Sequence, residues 1–288
     1  MFEGFETRRV GGTHLATAGD GPPVLLIHGY PQTHVMWHRV APGLVAAGHT
    51  VVCPDLRGYG DSDKPLADKD HANYAKRAMA AELVDAMSKL GHDRFGVAGH
   101  DRGGRVAYRL TLDHPDRVER LATLDIVPTI EQWESIKGTA GVGTFHWHLL
   151  AQPAPFPETL IEPNAEYWLR TLCGKWAANA DALEEGMPHY VAAFTKDGIR
   201  GSCDDYRAGA RIDVAHDAQD RDAGRKISCP MLVLWGDPSG RRPPLTDVWS
   251  RWANDIRGEA LPCGHFLPEE APDRTLTALR EFFAPGAS

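Results

Sequence analysis

The run Gly99-His100-Asp101-Arg102-Gly103-Gly104 follows the apolar stretch Phe95-Gly96-Val97-Ala98, and it constrains the fold more than any other part of the chain. A short apolar run that meets a glycine-flanked polar residue and then a helical pattern reads as a strand, a sharp turn and a helix. Small residues on either side let the backbone pack closely, so one side chain stands exposed at the end of the strand. Here that side chain is the carboxylate of Asp101, not a hydroxyl or a thiol. A carboxylate attacks carbon to form an ester and needs no base to remove a proton first. The elbow therefore points to displacement at saturated carbon and away from serine-type hydrolysis.

Four further short apolar runs read as buried strands: Pro23-Val24-Leu25-Leu26-Ile27, Thr50-Val51-Val52-Cys53, Leu121-Ala122-Thr123-Leu124 and Met231-Leu232-Val233-Leu234-Trp235. Helical patterns lie between them, as at Ala75 to Lys89 and Gly104 to Leu112. This alternation predicts an α/β fold with a mostly parallel central sheet flanked by helices. Ligands of such sheets bind beyond the carboxyl ends of the strands. The alternation breaks over residues 128–222, which are rich in Trp, Tyr, His, Pro and Ala. That stretch predicts an inserted helical cap, with residues 1–127 and 223–288 forming the core. Additional core helices with no lid role are the alternative.

A chain of 288 residues accommodates one large domain with such an insertion. A net charge of -8 argues against general binding of nucleic acid or an anionic membrane. No apolar stretch approaches the length of a membrane span, and Met1-Phe2-Glu3-Gly4-Phe5-Glu6 does not read as a secretory signal. A cytoplasmic location is the expectation. The five cysteines are scattered and form no C-x-x-C pair, which predicts free thiols in a reducing compartment. His146 and His148 flank Trp147 on different helix faces, so no metal site is expected there.

Two further segments complete a reacting constellation. His28-Gly29-Tyr30-Pro31-Gln32 follows the first apolar strand and can aim a backbone N–H at the same point as the N–H of Arg102. Leu261-Pro262-Cys263-Gly264-His265-Phe266 places His265 in a loop before the final helix, where it can serve as a general base. Asp125 and Asp237 each follow an apolar strand, and either can orient His265.

On these residues the chain resembles the α/β-hydrolase superfamily, and within it the fluoroacetate (haloacetate) dehalogenases. The resemblance rests on His28-Gly29-Tyr30-Pro31-Gln32-Thr33-His34, Asp55-Leu56-Arg57-Gly58-Tyr59-Gly60 and Gly99-His100-Asp101-Arg102-Gly103-Gly104-Arg105. It extends to Leu124-Asp125-Ile126-Val127-Pro128, Phe145-His146-Trp147, Asp205-Tyr206-Arg207 and Gly264-His265-Phe266. It implies that Asp101 displaces halide from a small 2-haloacid and that His265 activates water against the resulting ester. It selects Asp125 as the acid, with Asp237 as the rival. Arg102 and Arg105, three positions apart at a helix start, suit the substrate carboxylate. His146, Trp147 and Tyr206 form the halide cradle, each presenting one donor. The resemblance also implies that Trp176 lines the same pocket. Tyr30 stands where the family is expected to carry phenylalanine, and its hydroxyl is expected to reshape the pocket. A homodimer without cofactor is implied.

Two other functions compete. An epoxide hydrolase shares the Asp and His but needs tyrosines to protonate the opening ring, for which Tyr206, Tyr190 and Tyr167 are candidates. Arg102 and Arg105 have no evident use with a neutral epoxide. A non-catalytic binding protein of the same fold would be expected to lose the nucleophile, the base or the anion-stabilising turn.

Overall fold

The strands are β1 (Glu6–Val10), β2 (Thr13–Ala18), β3 (Pro23–Ile27), β4 (Thr50–Pro54), β5 (Phe95–His100), β6 (Val118–Leu124), β7 (Met231–Gly236) and β8 (Ile256–Leu261). In the computed structural model, which describes residues 1–284 and 286, they form one sheet in the order β1-β2-β4-β3-β5-β6-β7-β8. Pairing is parallel from β4 through β8, whereas β2 pairs antiparallel with both β1 and β4. The five apolar runs are β3 to β7, matched to within three residues at each end. Of the remaining three, β1 and β8 are the sheet edges and β2 lies between β1 and β4. β1 (ETRRV) and β8 (IRGEAL) are largely exposed and carry charge, which suits an edge and hides the strand from a reading based on apolar runs.

All six residues of β5 are buried, and the helix Arg102–Asp113 starts two residues after its end. Asp101 makes the turn with φ 47° and ψ -117°, a region that non-glycine residues rarely occupy. The flanking glycines are required by close approach. A Cβ on Gly99 would lie 2.4 Å from the Gly103 carbonyl oxygen, and one on Gly103 would lie 2.2 Å from that of His28. The sequence thus fixes the elbow through backbone contact.

Between β6 and β7 the described residues form helices and turns, starting with Thr129–Ser135 and ending with the long helix Lys196–Asp222. The Thr195 side chain caps that last helix by accepting from Gly198 N–H. Its buried face carries acids that meet cations of the sheet-flanking helices. Asp205 accepts from Arg102 Nε (2.8 Å) and Nη2 (2.7 Å), from the Tyr59 hydroxyl (2.7 Å) and from Lys76 Nζ. Asp217 accepts from the Tyr108 hydroxyl and Arg109 Nη2, each at 2.8 Å. Burial alone would raise the Asp205 pKa, but the Arg102 and Lys76 charges outweigh it and hold the carboxyl below the usual carboxylate range.

Among the described residues, no helix is long and apolar enough to cross a membrane. All five cysteines are free.

Removing one partner of a buried ion network strands the others in low dielectric. Asp205→Ala should therefore lose about 3–5 kcal/mol in urea unfolding. The exposed pair Arg170–Glu166 sets the contrast, since solvent screens it and Arg170→Ala should leave the urea midpoint nearly unchanged. Equal losses in the two variants would contradict this assignment.

Candidate active site

Asp101, Asp125 and Asp237 follow the carboxyl ends of β5, β6 and β7, and His265 follows that of β8 in a loop. Three of these four converge. His265 Nδ1 lies 2.6 Å from Asp125 Oδ2, and its Nε2 lies 3.8 Å from Asp101 Oδ2. Asp237 is directed elsewhere. Its carboxylate accepts from the N–H groups of Arg241 (3.1 Å) and Arg242 (2.9 Å) and from the Ser239 hydroxyl (3.2 Å). Of the two candidate acids, Asp125 is the one that contacts His265.

Asp125, like Asp101, has a positive φ (53°). Its Oδ1 accepts from Gly236 N–H (3.1 Å) and from Arg242 Nη1. Burial would raise its pKa, but the His265 hydrogen bond, the His265 charge and Arg242 lower it overall. Asp101 follows the same pattern: burial is overcome by the charge of His265, followed by those of Arg105 and Arg102, so the carboxyl is held ionised. His265 moves the other way. Burial would lower its pKa, but the Asp125 bond and the two carboxylate charges raise it, against the opposing charge of Arg242.

The turn after β3 contributes one donor. Tyr30 N–H donates to Asp101 Oδ1 at 2.9 Å. Among the described residues, Arg102 N–H, the second donor expected from the sequence, makes no hydrogen bond to that carboxylate. The Tyr30 ring is fully buried, with its edge toward Tyr206 (centroids 5.4 Å apart), and its hydroxyl accepts from Trp168 Nε1 at 2.7 Å. The hydroxyl is thus taken up by Trp168, and Tyr30 is not among the residues that line the cavity beside Asp101.

A cavity of about 500 Å³ opens beside Asp101 and is lined by Arg105, His146, Trp147, Trp176 and His265. The two arginines that the sequence pairs have different surroundings. Arg105 faces the cavity, stacks 4.5 Å above the Trp147 ring, donates from Nη1 to Val127 O (2.8 Å) and leaves a buried Nε without a partner. Arg102 gives Nε and Nη2 to Asp205, lies 4.1 Å over the Tyr206 ring and retains only an unpartnered Nη1. The buried Asp205 needs a counter-charge, which is why Arg102 is not an open fork.

His146, Trp147 and Tyr206 come together as expected. The His146–Tyr206 and Trp147–Tyr206 centroids are 5.9 and 5.5 Å apart, and Trp176 packs 4.6 Å from His146. Burial lowers the His146 pKa to about 3, so the ring is neutral, and its Nδ1 is unpartnered. Burial, reinforced by the Asp101 charge, raises the Tyr206 pKa well above normal and keeps its hydroxyl a donor. His148 is exposed, on the opposite side of the short helix Phe145–Leu150. The two other candidate tyrosines lie outside: the Tyr190 hydroxyl donates to Glu269 Oε1 (2.8 Å), and Tyr167 is 75% exposed.

Three supporting residues were not singled out from the sequence. Glu270 Oε2 accepts from the N–H groups of Gly264, Ala178 and Asn179 and ties the His265 loop to the helical segment. His100 donates from Nε2 to the His265 carbonyl (2.8 Å). Arg242 reaches both Asp125 and the cavity. The only signal for it was a basic pair, Arg241-Arg242, just beyond a strand that ends at the site.

The family model of the alpha/beta hydrolase fold matches residues 22–272. A fluoroacetate dehalogenase of Burkholderia sp is 43% identical over 100% of this chain and 97% of its own length. A soluble epoxide hydrolase of Corynebacterium sp. is 36% identical over 94% of this chain and 93% of its own. Among solved structures, ALR0039 from Nostoc sp PCC 7120 superposes with a TM-score of 0.95 and 48% identity, covering 99% of both chains. With this sheet order, this elbow and these matches, the chain belongs to the α/β-hydrolase family.

Proposed function

We propose that the protein is a hydrolytic dehalogenase of small 2-haloacids, converting fluoroacetate or another haloacetate to glycolate and halide. The observation that carries the reading is Arg105, a buried guanidinium that lines the same cavity as the ionised Asp101 and gives Nη1 to Val127 O while its Nε has no protein partner. A buried guanidinium donor without a protein partner suits an anionic ligand. The relative named a fluoroacetate dehalogenase supports the same substrate class.

In this reaction an Asp101 oxygen attacks the carbon that bears the halogen. The C–O bond forms as the carbon–halogen bond breaks, and the electron pair leaves with the halide. His146, Trp147 and Tyr206 replace part of the hydration of the departing anion as its charge develops. Arg105, with the remaining Nη1 of Arg102, holds the substrate carboxylate. His265 Nε2 then takes a proton from water, whose oxygen attacks the Asp101 carbonyl carbon. Tyr30 N–H stabilises the oxyanion. Collapse breaks the ester C–O bond to the alkyl oxygen, which takes the proton back from His265 as glycolate leaves, and one water oxygen remains in the Asp101 carboxylate.

The two steps are electrostatically coupled. The Asp101 charge helps raise the His265 pKa, and that charge disappears in the ester. His265 therefore becomes a better-populated neutral base at the stage that requires one. In this reading, residues 128–222 act as a cap over a core of 1–127 and 223–288 and supply the halide cradle. A homodimer is part of the proposal.

The epoxide reading has a relative in its favour. Against it, the Tyr190 hydroxyl is bound to Glu269 and Tyr167 is exposed, which leaves Tyr206, packed on His146 and Trp147, without the second tyrosine that ring opening would use. Incubation with fluoroacetate, chloroacetate and styrene oxide separates the two. Halide release from a haloacetate is expected, whereas epoxide loss without halide release would overturn the proposal. Asp125→Asn should stop turnover after one halide per site and accumulate ester. Asp237→Asn should retain most of the turnover, because its carboxylate serves only the 237–242 turn. Mass spectrometry of the intact protein measures the ester, and the reverse ranking would make Asp237 the functional acid.

A further inference from the structure

Asp125 has two oxygens and two duties. Oδ2 orients His265, and Oδ1 is held by Gly236 N–H and Arg242 Nη1. A carboxylate fixed through one oxygen alone can rotate about its side-chain torsion. Two donors on Oδ1 remove that freedom and keep Oδ2 aimed at Nδ1 of the imidazole. Arg242 is placed for this task by its own backbone. The chain leaves β7 at Gly236, and Asp237 closes a short turn by accepting the N–H groups of Arg241 and Arg242. The guanidinium is returned over the strand end, where Nη1 also donates to Gly236 O at 3.1 Å. The second acid of the β6–β7 pair thus gains a role: it builds the turn that brings a cation to the first.

We propose that Arg242 is a positioning residue for the general base, pinning the free oxygen of Asp125 and setting a positive charge against the two carboxylates that flank His265. This rests on the acid–base roles given above to Asp125 and His265.

The other groups facing His265 are accounted for. Asp125 and Asp101 are anionic and favour imidazolium, as their contacts of 2.6 and 3.8 Å require. His100, 4.5 Å away between ring centroids, is neutral, with its pKa lowered to about 4 by burial and by His265. His146, on the helical segment, is neutral as well. Cys263 on the same loop keeps its proton, its thiol pushed up to about 12 by burial. Trp176 and Phe266 contribute uncharged rings at 5.9 and 5.1 Å. Arg105 and Lys175 line the same cavity as His265, but Arg242, paired with Asp125, is the cation that lowers the His265 pKa against the two carboxylates. Without it, a base between two carboxylates would remain protonated to higher pH.

The effect reaches catalysis through Asp125 and His265, without contact with the reacting atoms. Because the Arg242 side chain is 39% exposed, solvent screens its influence, and a modest shift is expected.

The test is an NMR titration of the histidine resonances in the resting protein, with His265→Gln identifying the His265 signal. Arg242→Gln should move the His265 pKa up by about half a unit. Arg242→Lys, which keeps the charge, should restore most of the shift. With chloroacetate as substrate, a half-unit shift makes Arg242→Gln about threefold slower on the acidic limb of the kcat profile than the loss it shows on the alkaline plateau, where only the unpinned Asp125 oxygen counts. A purely structural role would lower kcat by the same factor at every pH. An unmoved or lowered His265 pKa in Arg242→Gln, or a failure of Arg242→Lys to restore it, overturns the proposal. The titration needs no turnover, so it still reports on Arg242 if the dehalogenase reading fails.

Discussion

The left-handed backbone of Asp101 is the constraint on which the site depends. Three successive demands meet there: a fully buried strand ends, a helix begins, and a carboxylate must project from the turn between them. The chain meets them by removing side chains around the turn. Gly99 and Gly103 approach backbone oxygens to distances that no Cβ tolerates. The strain of a non-glycine residue at φ 47° is then held by rigid packing on both sides. Gly29 belongs to the same arrangement, since a Cβ there would lie 2.5 Å from the Asp101 Cβ. The turn after β3 can therefore press its Tyr30 N–H onto the carboxylate.

Around that turn, charge is arranged in two separate networks. In the first, Arg102, Lys76 and Tyr59 surround Asp205 and lock the long helix Lys196–Asp222 onto the elbow helix. This network places Tyr206, the next residue, against Arg102 and Trp147. In the second, Asp101, His265, Asp125 and Arg242 alternate in sign through contacts at the strand ends. The first network fixes where a substrate would meet donors. The second sets the protonation of the base in the proposed reaction, and it changes when Asp101 loses its charge as an ester.

The sequence disclosed the parts whose physics is local. Buried parallel strands are apolar runs, so β3 to β7 were visible, whereas the charged edges β1 and β8 were not. The elbow was legible because close backbone packing demands glycine at fixed positions. Roles that depend on distant partners were less so. Two arginines spaced three apart look equivalent in sequence, and only the fold shows that Asp205, about one hundred residues away, takes up one of them. Asp125 and Asp237 likewise look alike, each following a strand, until the 237–242 turn turns one inward on its own backbone. Glu270 and Arg242 act through loops whose conformation no periodicity encodes.

The central claim is that Asp101 itself forms the covalent bond. A single turnover with chloroacetate in oxygen-18 water, followed by mass spectrometry of the peptide that contains Asp101, tests this directly. The account predicts one labelled oxygen in the Asp101 carboxylate and none in the glycolate of that first turnover. Label appearing in the first glycolate, with Asp101 unlabelled, would mean that water attacks the substrate directly and would contradict the account.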